Sequence, residues 1–99
     1  MLIKLGVSIA NLRRPMRKAL SSVEAAYASI ANEEAVITST FEGTHSVSSL
    51  HYVNLAVDFR LPKTKQVLKD IIEYLKTTLG KSYDILESTN CLHIEWDPK

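Results

Sequence analysis

Three groups able to ligate a metal ion stand in two short stretches of this sequence: His51 in Ser49-Leu50-His51, Asp58 after Asn54-Leu55-Ala56-Val57, and His93 in His93-Ile94-Glu95-Trp96. Two neutral imidazoles and one carboxylate give zinc three protein ligands and leave its fourth tetrahedral position to water, as in a catalytic rather than a structural site. A water acidified by zinc beside a polarised carbonyl is the chemistry of acyl-bond hydrolysis. All three histidines of the chain, His45, His51 and His93, fall in or beside these stretches. Asp58 follows the apolar Leu55, Ala56 and Val57, so its carboxylate would be costly to bury unpaired and a metal ion would compensate it.

The neighbours of these residues extend the site. His93 and Glu95 are two apart on an expected strand, so their side chains share a face with Cys91, while Trp96 belongs to the opposite, core-facing side. Glu95 suits a general base or a partner that holds a zinc-bound histidine; its ordinary alternative is a cross-strand ion pair. Ser49 is placed to orient a ligand, and Arg60 either clamps a substrate carboxylate or pairs with a nearby acid, the second being the more ordinary use. Cys91 offers a different outcome, a thiolate that fills the open position and closes the site as a structural one.

The stretches also resemble a family. Read as S-x-H-x6-D followed by a late H-x-E-W, they look like the zinc D-Ala-D-Ala carboxypeptidases and L-Ala-D-Glu endopeptidases of bacteria and bacteriophages, and this chain resembles a short phage-type member. The similarity runs from Val36-Ile37-Thr38-Ser39-Thr40 through Gly43-Thr44-His45, Ser49-Leu50-His51-Tyr52 and Ala56-Val57-Asp58-Phe59-Arg60. It resumes at Tyr83-Asp84 and closes with Leu92-His93-Ile94-Glu95-Trp96-Asp97-Pro98. The resemblance implies a hedgehog/DD-peptidase fold, a Zn²⁺ ion on His51, Asp58 and His93, and a peptidoglycan stem peptide as substrate. It places His45 in a substrate-facing loop, where it would donate to the substrate's carboxylate or assist the oxyanion. Many relatives carry an acidic general base three positions before the last histidine, and here that position is Asn90, whose amide cannot take a proton from water. Glu95 or Glu87 is then the substitute base. The competing expectation is a zinc-binding relative without hydrolytic activity that binds peptidoglycan or serves as a structural virion component.

Composition fits one domain over residues 1–99. A hydrophobic content of 45% with 23% charged residues is that of a globular domain with a modest core. Twelve basic against eleven acidic residues leave a net charge of +1, which argues against a nucleic-acid partner. The Arg13-Arg14-Pro15-Met16-Arg17-Lys18 cluster reads as a solvated helix start. The single cysteine excludes an intramolecular disulfide and fits a reducing cytoplasm. The apolar stretch from Leu5 to Ala10 is too short to span a membrane and lacks a signal-peptide cleavage pattern. We expect a monomer made in the cytoplasm of a phage-infected host, released to the cell wall by another protein, with no membrane partner.

The elements that must position these residues follow from periodicity. Leu2 to Val7 suggests a short first strand. Met16, Leu20, Val23, Tyr27 and Ile30 recur at helical spacing from Pro15 to about Ala31, and Asn32-Glu33-Glu34 breaks the pattern. Ala35 to Thr40 reads as a buried strand, Phe41 to Leu50 as a polar loop, and His51 to Arg60 as strand-like. Thr64 caps a second helix whose stripe is Val67, Leu68, Ile71, Ile72, Leu75 and Leu79, ended by Gly80. Tyr83 to Leu86 and Cys91 to Trp96 form two strands joined across Glu87-Ser88-Thr89-Asn90. The expected architecture is α+β, an antiparallel sheet of four or five strands with two main helices.

Overall fold

The computed structural model describes residues 1–40 and 54–98. Its elements are β1 (Leu2–Ile3), α1 (Arg14–Ala26), β2 (Val36–Ser39), β3 (Ala56–Arg60), α2 (Lys65–Leu79), β4 (Tyr83–Glu87) and β5 (Cys91–Trp96), and α1 runs on into a π-helical turn at Tyr27–Ala31. The class is α+β as the periodicity predicts, with five strands in the order β1-β2-β3-β5-β4.

The sheet is mixed, which corrects the antiparallel expectation. β1 pairs with β2 in parallel, Leu2 opposite Val36 and Ile3 opposite Ile37. The cause lies in the connection: α1 carries the chain back to the starting end of β1, so β2 must run in the same direction. The other pairings, β2 with β3, β3 with β5 and β5 with β4, are antiparallel. β3 and β4 therefore run parallel to each other, joined by α2, and β5 fills the gap between them.

Strand alternation divides the sheet into two unlike faces. Ile37, Val57, Phe59, Ile85, Leu92 and Ile94 are buried in one cluster with Met16, Ala19, Val23, Tyr27, Leu68, Ile71 and Leu75 of the helical segments. Burying each large aliphatic side chain contributes on the order of 1.5–3 kcal/mol, enough to fix which face the helices cover. Trp96 packs partly buried against this cluster, on the side expected of it. The alternate residues Asp58, His93 and Glu95 are thereby turned to the face away from the helices.

Local signals explain the boundaries. Pro15 sits in the first turn of α1, where its missing N–H is harmless. The helix ends where Asn32 adopts a left-handed conformation (φ 52°) and the N–H groups of Asn32 and Glu33 both donate to the Tyr27 carbonyl. Thr64 Oγ1 accepts from the Val67 N–H at 3.2 Å, capping α2, and Gly80 (φ 82°) terminates it. Arg17 does more than solvate the start of α1. Its guanidinium folds back to donate to the carbonyls of Ile9, Ala10 and Leu12 at 2.8–2.9 Å and fastens the irregular segment before the helix. Among the described residues no helix is long and apolar enough to cross a membrane.

Candidate functional site

β3 and β5 bring the chemistry together. Their register sets Ala56 opposite Glu95, Asp58 opposite His93 and Arg60 opposite Cys91, and directly opposed residues point to the same face. His93 is held at both ring nitrogens: Nδ1 lies 2.8 Å from Asp58 Oδ1, and Nε2 lies 2.7 Å from Glu95 Oε1. These three side chains are 14–20% exposed, recessed yet reachable from solvent. Burial disfavours a charged imidazole here, but the hydrogen bonds and charges of Asp58 and Glu95 outweigh it, and the pKa of His93 is raised above its ordinary 6.5.

Cys91, two residues before His93 on the same face, is half-buried. Its Sγ is 3.1 Å from Ser88 Oγ. Burial pushes the thiol pKa up, Ser88 opposes this, and the charge of Asp58 adds to the rise. Without a metal beside it, a thiol whose proton is held more tightly is a weaker nucleophile.

Of the other residues singled out in the sequence, Asn90 is exposed in the β4–β5 connection, and Arg60 is exposed at the end of β3. Glu87 is not in that connection but in β4, paired with Leu92. It therefore belongs to the side of the sheet that carries Leu92, opposite His93, and does not serve His93 as a base. His45, Ser49 and His51 lie outside the described residues.

Two carboxylates not singled out in the sequence adjoin the site. Asp84 is the register partner of Glu95, and Asp97 follows Glu95 by two residues; oxygens of all three lie within 4.8 Å of one another, in a partly exposed acidic triad that could hold a cation. The alignment comes from the hairpin register, in which Tyr83–Glu87 pairs with Cys91–Trp96 and sets Asp84 opposite Glu95.

Asp58 and His93 are of donor types that bind zinc, and their Oδ1 and Nδ1 meet in a direct 2.8 Å hydrogen bond that an ion would have to replace. The Nε2 contact to Glu95 is the pattern by which a metal-bound imidazole is fixed in tautomer and orientation. No protein-family model matches the chain, and no curated protein or solved structure matches it either.

Proposed function

We propose that the chain is a zinc-dependent peptidase-like domain that acts on peptidoglycan stem peptides, with zinc on His51, Asp58 and His93. The observation that supports it above others is His93 gripped by Asp58 at one ring nitrogen and by Glu95 at the other, on the sheet face away from the helices. Zinc bound there would supply a polarised scissile carbonyl and a water of lowered pKa. Asp58 and His93 hold the ion, and Glu95, accepting the Nε2 proton, keeps Nδ1 unprotonated for it. His45 is assigned to the oxyanion and Ser49 to ligand orientation.

One feature favours slow turnover. Glu95 is bound to Nε2 and Asp58 to Nδ1, so the imidazole ring separates the Glu95 carboxylate from the Asp58 side, where Asp58 and His93 would hold the ion. Glu95 is therefore better placed to orient His93 than to deprotonate water, and Glu87 lies on the other side of the sheet. With an amide at Asn90, the domain lacks a well-placed general base among the described residues. This supports the second reading, a zinc-containing module that binds stem peptides without cutting them.

The deciding experiment loads the chain with one equivalent of zinc and follows a stem pentapeptide for both binding and cleavage, in wild type and Glu95→Gln. Slow cleavage, with zinc affinity reduced by roughly 10- to 100-fold in Glu95→Gln, supports the peptidase with Glu95 as the residue that holds His93. Brisk wild-type cleavage abolished in Glu95→Gln without loss of zinc makes Glu95 the base. Binding with no cleavage favours the module, and a chain that takes up no zinc removes both readings.

A further inference from the structure

We propose that the chain pairs with a second copy of itself along the outer edge of β4, antiparallel about a two-fold axis at Ile85, so that one sheet runs through both copies. The pairing takes the place of the expected monomer and depends on neither zinc nor peptide.

β4 ends the sheet, paired on one side with β5 and on the other with no strand among the described residues. The bonds that flank the β4–β5 ladder decide which backbone groups are left over. The Asp97 N–H donates to the Ser82 carbonyl at 2.7 Å and the Ser88 N–H to the Cys91 carbonyl at 2.9 Å, so the even-numbered residues of this stretch turn their backbone groups to β5. Tyr83, Ile85 and Glu87 turn theirs outward. The Tyr83 N–H makes a long bond, 3.5 Å to the Gly80 carbonyl. A row of outward donors and acceptors is a template for another strand, and the proline or lysine that commonly blunts such an edge is missing from Tyr83–Glu87. The opposite edge of the sheet, β1, offers only Leu2–Ile3.

The outward groups choose the register. They bond to their copies only where odd-numbered residues face one another, which puts the axis at a residue and not between two. An axis at Asp84 sets that carboxylate against its own copy beside Glu95 and Asp97, and like charges directly opposed are destabilising. An axis at Leu86 carries Tyr83 past the end of the second β4, opposite Thr89. An axis at Ile85 uses the whole strand, with Ile85 opposite its copy and Tyr83 opposite Glu87 of the second copy.

Charge favours the same register. Tyr83, Ile85 and Glu87 pair with Trp96, Ile94 and Leu92 and so belong to the helix side of the sheet. On that side Lys76 of α2 and Lys81 line a cleft of about 570 Å³ along the edge, together with Tyr83 and Ile85. Lys76, Lys81 and Glu87 have no ion-pair partner among the described residues. Glu87 of the second copy, opposite Tyr83, brings its carboxylate to this cleft and diagonal to Lys81, and the two-fold axis makes the contact twice. On the other face Leu86, 53% exposed in one copy, comes within diagonal reach of Leu86 of the second.

The test measures the mass of the full chain by sedimentation equilibrium over a range of concentrations, with folding of each variant checked by circular dichroism. A pair of five-residue edges is a small interface, so we expect a reversible dimer with a micromolar dissociation constant. Glu87→Lys, which sets an ammonium against Lys76 and Lys81, should weaken it roughly tenfold because each contact occurs twice. Lys81→Glu should weaken it similarly, and the double variant Lys81→Glu/Glu87→Lys should recover part of the loss. Glu87→Pro removes an outward N–H without touching a bond to β5 and should abolish the dimer. Amide exchange at Ile85 and Glu87 should slow as the chain is concentrated. A chain that stays monomeric, a dimer indifferent to Glu87→Pro, or a double variant no tighter than either single one overturns the proposal. Slow exchange at Ile85 and Glu87 in a monomeric chain overturns it as well, since the edge would then be covered from within one copy.

Discussion

Asp58 and His93 are register partners on adjacent strands, and their side chains meet across β3 and β5 at 2.8 Å between Oδ1 and Nδ1. With Glu95 on the other nitrogen, the metal-free ring is flanked by two carboxylates, which accounts for a pKa raised above 6.5 despite burial.

A raised histidine pKa has a definite sign for stability. The folded chain binds the His93 proton more tightly than the unfolded one, so this stabilisation is fully present below about pH 6.5 and is lost as pH rises through the folded-state value. In chelator, urea unfolding of wild type should show stability falling with pH across that window, and Asp58→Asn should flatten the slope. An NMR titration placing the His93 ring at or below 6.5 in the metal-free chain would contradict this.

Metal analysis should find one zinc per chain, lost in His93→Ala. Cys91→Ser should leave zinc affinity within a few-fold, because a site of two histidines and one aspartate needs its fourth position for water and leaves Cys91 beside the metal without binding it. Loss of metal in Cys91→Ser would instead make the thiolate a ligand and the site a closed, structural one.

Arg17 tests how the segment before α1 is held. Its three donor contacts to the carbonyls of Ile9, Ala10 and Leu12 are charge-assisted, and solvent reaches two of them. Arg17→Met should cost about 1–2 kcal/mol, a fall in Tm of roughly 5–15 °C. Arg17→Lys should recover only part, since an ammonium does not span three carbonyls as a guanidinium does. A thermal midpoint unchanged in Arg17→Met would show that the contacts contribute nothing net.

Much of this arrangement was legible because alternation is strict where one face is buried. Val57 and Phe59 around Asp58, and Leu92 and Ile94 around His93, fix which side chains turn away from the helices, so the shared face of Cys91, His93 and Glu95 could be read directly from residue types. Strand direction could not. Whether β2 runs with or against β1 depends on where α1 returns the chain, and neither strand carries a side-chain signature of that choice. Glu87 fails for a related reason: assigning it to the connection or to β4 decides which face it joins, and one residue of register reverses the answer. Arg17 was read as solvated because its acceptors are backbone carbonyls, which any sequence provides. The Asp84–Glu95–Asp97 triad needed the hairpin register, which the residue types of the connection do not specify.

Tyr27 links the helical layer to the strand that carries Asp58 and Arg60. Its ring is buried beside Phe59, and its hydroxyl donates to the Arg60 carbonyl. Burial raises the hydroxyl pKa well above its ordinary value of 10, so it remains a donor at neutral and mildly alkaline pH. Tyr27→Phe keeps the ring packing and leaves that carbonyl without its donor, which should cost about 1–2 kcal/mol in urea unfolding. An unfolding free energy unchanged in Tyr27→Phe would show that the bond contributes nothing net.

Asn90 is where the chain departs from the pattern it otherwise resembles. It is exposed in the β4–β5 connection, three residues before His93, so a carboxylate introduced there meets little desolvation and need not disturb the strands. If turnover is limited by the want of a base, Asn90→Asp should raise cleavage of the stem pentapeptide by a factor within the roughly 10²–10⁴ typical of general-base catalysis, with zinc affinity unchanged. The gain should appear in kcat and leave KM nearly as it was, because an added base acts in the transition state and not on the bound peptide. It should also follow pH as a carboxylate does, being absent where the introduced carboxyl group is protonated and full by neutral pH. No gain, in a variant that still binds zinc and peptide, would mean that the connection does not bring position 90 to the metal-bound water, and the binding-module reading would then stand over the peptidase.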